Sequence, residues 1–153
     1  MHEQLLEIAS ELANRERGPP RSVSLKRSVS TAYYALFHAV AAFCATQLVG
    51  AYRPWKPLCH VYRSLEHGPA RKIFESLDRT GEFGVEARRI GKAFLVLQKL
   101  RHSADYDIAF RIGRNETFEA IERARQAISL LDHLGPSEGK LLAARLIGRP
   151  RAS

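Results

Sequence analysis

Leu25, Val29, Ala32, Tyr33, Leu36, Val40 and Phe43 recur at intervals of three and four over about residues 24 to 48, a continuous apolar stripe of helical period. A helix of that length with so apolar a face must be covered by others, which predicts a central helix with neighbours packed around it. A second set, Ser30, Tyr34, His38 and Ala41, follows helical spacing on the opposite flank and is small or polar, as a packed interface requires. An isolated bundle of this size buries one such flank well. The other predicts a homodimer, with the second and fourth helices near the interface.

The remaining punctuation supports an all-α chain. Leu5, Leu6, Ile8, Ala9, Leu12 and Ala13 mark a first amphipathic helix over residues 3 to 14, stopped by the RGPPR run at 17 to 21. Gly50 and the prolines of YRPWKP predict a loop over about 49 to 57. A broken helical stretch over 58 to 78 follows, interrupted at Gly68 and Pro69. DRTGEFG at 78 to 84 reads as a turn cluster. Beyond it, Ile90, Ala93, Phe94, Leu97, Leu100 and Ala104 mark a fourth helix from Val85 to about Tyr106. Asn115 is the expected N-cap of a fifth, carrying Phe118, Ile121, Ala124, Ile128 and Leu131 and closed by Gly135 and Pro136. The expectation is an up-and-down bundle of four to five helices over residues 1–135. A basic tail, 136–153, follows, either a short helix at 141 to 148 or, more in keeping with its Gly, Pro and Arg content, frayed.

Composition narrows the class. At 153 residues one domain is expected, and 10 Gly with 7 Pro are too few for the frequent turns of an all-β fold. No apolar run is read as approaching the roughly 18 residues of a membrane span, and the start, MHEQLLEIASEL, carries acids where a signal peptide carries bases. Cys44 and Cys59 form no CxxC pair and are read as reduced thiols. A cytoplasmic protein with no membrane partner is the expectation. The 24 basic against 16 acidic residues give +8, of which the tail supplies +3, a bias toward polyanions such as RNA or nucleotides.

Arg101 breaks the apolar pattern. It lies on or beside the stripe of the fourth helix, where a guanidinium is costly unless compensated. Asp105, one turn on, would make an i,i+4 pair with a purely structural role. The functional alternative is an arginine held by the scaffold to meet a phosphate, with His102, Asp105 and Tyr106 grouped around it in RHSADYD. Tyr33, Tyr34 and His38 read more simply as packing groups with satisfied polar atoms. The Lys26-Arg27 and Arg88-Arg89 pairs read as solvated helix faces. There is no Walker A, GxGxxG or HExxH pattern, and Cys59, His60 and His67 lack a fourth ligand, so no cofactor or metal is expected.

LKRSVSTAYYALFHAVAAF followed some seventy residues later by LRHSADYD resembles the HEPN superfamily of small prokaryotic helical proteins. The family's R-x-x-x-x-A-Y-Y-A-x-F-H-A helix is matched by Arg27, Ala32, Tyr33, Tyr34, Ala35, Phe37, His38 and Ala39. Its later arginine is matched by Arg101 with His102, and its ADYD ending by Ala104 to Asp107. The likeness spans about residues 3 to 134. It implies a four- or five-helix bundle that commonly dimerises, with Arg27, Ser30, Tyr34, His38, Arg101 and Asp105 as binding residues. Many members are metal-independent ribonucleases, often toxins paired with a small nucleotidyltransferase-fold partner.

The sequence departs from the family's catalytic signature, an arginine followed after four to six residues by a histidine. Those positions after Arg101 hold Tyr106, Asp107 and Ile108. Arg53 and His60 have the spacing, but the PWKPLC between them is not expected to be helical. Metal-free RNA cleavage needs a base for the 2′-hydroxyl, which imidazole supplies near neutrality and a phenol of pKa near 10 does not. If the chain is an endoribonuclease, Arg101 stabilises the phosphate and His102 or Tyr106 handles the proton. The primary expectation is a dimeric module that binds RNA or nucleotide, or a nucleotidyltransferase-type partner, with a degenerate ribonuclease motif. A purely structural subunit is the third reading.

Overall fold

The structure, a computed structural model, describes residues 1–50 and 55–148. Those residues form seven helices and no strand: α1 (His2–Ala13), α2 (Ser22–Val49), α3 (Trp55–Ser64), α4 (His67–Thr80), α5 (Val85–Tyr106), α6 (Arg114–Leu131) and α7 (Pro136–Ile147). The chain is all-α. The 28-residue α2 is its axis, packed against α1, α3, α5, α6 and α7. Leu25, Val29, Ala32, Tyr33, Leu36 and Val40 of the expected stripe are buried, and so are Ser30 and Ala41 of the opposite flank. Tyr34 and His38 of that flank are half-buried, so neighbours within one chain cover the first flank and part of the second.

Seven helices replace the expected five for identifiable reasons. The break in the 58 to 78 stretch falls at Leu65 and Glu66, not at Gly68 and Pro69, which sit in the first turn of α4. There no intrahelical N–H is required, so proline is accommodated. Pro57 occupies the equivalent place in α3, and residues 55 to 57 are therefore helical where a loop was expected. Residues 51 to 54, the rest of that loop, lie outside the described residues. The same correction applies to PWKPLC: its residues from Trp55 onward are helical, and Arg53 lies outside the description.

Gly113, not Asn115, caps α6. Its N–H meets the Glu116 carboxylate at 3.4 Å, and its carbonyl accepts the Thr117 hydroxyl at 2.8 Å. The tail expected to fray is α7 as far as Ile147, because Gly139, Leu142, Ala143 and Leu146 form an apolar face buried on α2 and α4. Glu138 of α7 accepts the Gly84 N–H at 2.9 Å ahead of α5, and Arg145 pairs with Glu82 at 2.8 Å. Residues 149 to 153 lie outside the description. One expectation about membranes also changes. An 18-residue window of α2 has a mean hydropathy of 1.4, enough by length and composition to cross a bilayer, and half of it is buried by the other helices.

Gly91 sets the approach of α5 to α4. A Cβ there would stand 3.2 Å from Phe74 Cδ1 and 3.3 Å from the Phe74 carbonyl oxygen. Backbone cannot yield as a side-chain tip can. Gly91→Val is expected to destabilise the protein by about 1 to 3 kcal/mol through overpacking, read as a lower urea midpoint with an unchanged m value.

Candidate functional site

Arg101 leaves α5 toward α2 and lies against two tyrosines from adjacent positions of that helix. Its guanidinium carbon is 5.1 Å from the centroid of the Tyr33 ring and 5.8 Å from that of Tyr34. Such contacts hold a cation over π faces without neutralising it, each contributing about 0.5 to 2 kcal/mol. The side chain is 13% exposed and, among the described residues, the one carboxylate it pairs with is Asp105, at 3.8 Å from Nη1. Asp105 is otherwise engaged, its Oδ1 accepting the Ser30 hydroxyl at 2.5 Å. The expected i,i+4 pair exists, but at a length that leaves the cation undersatisfied. The buried Nε of Arg101 has no hydrogen-bond partner among the described residues.

Behind the guanidinium lies a polar chain that no sequence pattern announced. Gln98 donates to the His67 carbonyl at 3.0 Å and to the Tyr33 hydroxyl at 3.4 Å. The Tyr33 hydroxyl stands 2.6 Å from His67 Nδ1. The arrangement that uses every proton passes the hydroxyl hydrogen to Nδ1 and leaves His67 neutral, protonated at Nε2. Phe37 stacks on the imidazole with centroids 4.0 Å apart. Burial pushes the Tyr33 hydroxyl up to about 12, against the opposing effect of Arg101. Burial, and then the Arg101 charge, hold His67 below the usual histidine range. Tyr33 is thus a proton-retaining packing group, and the charge beside this polar chain is that of Arg101, with Asp105 at 3.8 Å from it.

His67 predicts a pH dependence. Its folded pKa is depressed, so the unfolded chain takes up its proton at a higher pH than the folded one. The stability it contributes is complete above about pH 6.5 and is lost as pH falls through the folded value. His38, lowered by burial and then by the N-terminal charge, acts with the same sign. The melting temperature is expected to fall between about pH 7.5 and pH 5, and to fall less in His67→Asn. An equal fall in that variant would remove His67 from the account.

Two clefts flank the Arg101–Asp105 pair. One of about 490 Å³ lies between α4 and α5 and is lined by Arg71, Glu75, Gln98, Lys99, Arg101 and His102, three cations against one carboxylate. Arg71 and Glu75 meet at 3.8 Å. The other, of about 440 Å³, gathers Arg27, Ser30, Tyr34 and Asp105 beside Lys26. Arg101 and His102 thus line one cleft and Arg27, Ser30, Tyr34 and Asp105 the other, the two being linked by the Arg101–Asp105 contact. Two expected residues line neither. His38 is hydrogen-bonded through Nδ1 to the Tyr62 hydroxyl, and Tyr106, 69% exposed, is the residue after Asp105 and lies with its ring 5.0 Å from that of His102.

Sequence reasoning missed His67, Gln98, Lys99 and Arg71. Gln98 lies three residues before Arg101, so its place on that flank of α5 follows from helical spacing. Nothing in the order of residues brings His67 to Tyr33. Among the described residues no group of three or more His, Cys, Asp or Glu side chains is placed to hold a metal ion. No known protein family matches the chain, and neither does any curated protein or any solved structure.

Proposed function

We propose that the chain is a HEPN-like up-and-down helical bundle whose Arg101 cleft binds the phosphate of RNA or of a nucleotide. One observation carries the reading. A guanidinium held against two aromatic faces, with a carboxylate no nearer than 3.8 Å, lines a cleft whose other charges are mostly positive. A phosphate oxygen offers the short, charge-assisted bonds that Asp105 does not supply. Arginine suits this better than lysine, because its planar fork addresses two oxygens at once. The chain works as a homodimer and with a nucleotidyltransferase-fold partner, as the resemblance implies. Equilibrium sedimentation at micromolar concentration tests the dimer, and a species near 17 kDa alone rejects it.

One observation favours the endoribonuclease as a second reading. His102 lines the same cleft as Arg101, although neighbouring positions on a helix point about 100° apart. Of the two proton carriers expected, His102 lines this cleft and Tyr106 stands behind it, its ring 5.0 Å from the imidazole. The binding reading predicts that purified protein cleaves generic RNA, without added metal, no faster than an Arg101→Ala control. Cleavage that depends on both Arg101 and His102 would replace it with the nuclease reading.

A further inference from the structure

We propose that the outward face of α5 is a docking surface for a single-stranded polynucleotide that enters the Arg101 cleft at one end and runs back along the helix toward Arg89. This rests on the Arg101 cleft being a phosphate site and names the class of ligand it takes.

Arg89, Lys92, Val96, Lys99, His102 and Tyr106 follow one another at three and four residues, and all six are exposed. That spacing places them on a single line along the helix. The line contains no carboxylate. The ion pairs formed among the described residues engage none of its three full cations. Neighbouring like charges on a helix surface are mildly destabilising, so the row stores a repulsion that a bound polyanion relieves.

Basic clefts border the row on both flanks. Lys99 and His102 share the 490 Å³ cleft with Arg101, whereas Arg89 and Lys92 share a cleft of about 220 Å³ with Arg123 and Gln126 of α6. Ten residues of helix separate Arg89 from Lys99, about 15 Å at 1.5 Å per residue. A single phosphate cannot serve both ends; a strand can.

The groups between and beyond the cations decide what kind of strand. Val96 is 39% exposed in the middle of the row, and the His102 and Tyr106 rings lie 5.0 Å apart at its end. Cations that follow a backbone, joined to rings on which bases stack, form the pattern of single-strand binding. A duplex keeps its bases from such rings. A second copy of the chain fits poorly, since a two-fold contact through this face sets Arg89, Lys92 and Lys99 against themselves.

The test compares a labelled mixed-sequence RNA of about twelve nucleotides, read by fluorescence anisotropy, with uridine monophosphate, read by calorimetry. The RNA is expected to bind at least about tenfold tighter. In Arg89→Gln/Lys92→Gln that advantage should shrink about tenfold, and the slope of log affinity against log salt should fall by about 1.4. Tyr106→Ala, at an exposed position, should weaken RNA binding about fivefold or more with an unchanged circular dichroism spectrum. Equal affinity for the two ligands, or an undiminished advantage in the double variant, overturns the docking face while leaving the cleft in place. RNA binding that needs Arg89 and Lys92, with no monophosphate binding, keeps the face and rejects the cleft. Polyglutamate competing as well as RNA of equal charge overturns the proposal and assigns the face to an acidic protein.

Discussion

Tyr33→Ala is expected to lower the melting temperature by on the order of 10 °C or more. Tyr33 is completely buried at the crossing of α2 and α5, in edge contact with Phe94 at 5.5 Å. Truncation removes an aromatic ring from a close-packed core, at a cost of about 3 to 5 kcal/mol, and a domain of this size loses roughly 2 to 4 °C per kcal/mol. The hydroxyl adds a separable part. Tyr33→Phe keeps the ring but leaves His67 Nδ1 and a Gln98 N–H without their partner, which should cost about 1 to 3 kcal/mol. If the phenylalanine variant melts with the native protein, the buried Gln98–Tyr33–His67 chain contributes nothing to stability.

Arg101→Ala is expected to have the opposite profile, a small loss of stability and a large loss of binding. Asp105 is 28% exposed and keeps its hydrogen bond from Ser30, so removing the guanidinium does not strand a buried carboxylate. What is lost in the free protein is the pair of aromatic contacts, about 1 to 4 kcal/mol together. Had Arg101 and Asp105 formed a tight buried pair, breaking it would cost about 3 to 5 kcal/mol. Binding of a nucleoside monophosphate should weaken about 10- to 100-fold, the equivalent of one charged hydrogen bond of about 1.5 to 3 kcal/mol. Arg101→Lys should restore only part of it, because an ammonium does not present the planar fork. Melting curves and a calorimetric titration on the same samples separate the two profiles.

The elements that were legible in the sequence are those whose evidence is periodic. The α2 and α5 stripes repeat at helical spacing over many turns, and Arg101 stood out as a charge on one of them. Misreadings arose where one residue type permits two outcomes. Pro57 and Pro69 are compatible with a loop or with a helix's first turn, and only the packing of the chain on either side selects the second. Likewise the stretch 136 to 147 allowed a short helix at 141 to 148 or a frayed end, and its Gly, Pro and Arg content favoured the second. Leu142, Ala143 and Leu146 have their partner face on α2 and α4, which sequence does not display.

The site divides in the same way. Arg101 and Asp105 were named from their place on one helix and Arg27, Ser30 and Tyr34 through the resemblance, and the contact between α2 and α5 sets Ser30 and Tyr34 beside Asp105 and Arg101. Tyr106 follows Asp105 by one residue, and that single step turns it about 100° away to solvent. His67 could not be placed, since the bond that gives it meaning joins positions 34 residues apart on separate helices.

The central claim concerns one guanidinium, and a ¹⁵N-correlated spectrum of the arginine side chains reads it. The Arg101 Nε–H resonance, assigned by its absence in Arg101→Ala, should move on titration with uridine monophosphate and saturate with the calorimetric affinity as the phosphate engages the outer nitrogens of the same guanidinium. A monophosphate that binds the protein while the Arg101 resonance stays fixed, with shifts confined to other arginines, would contradict the account.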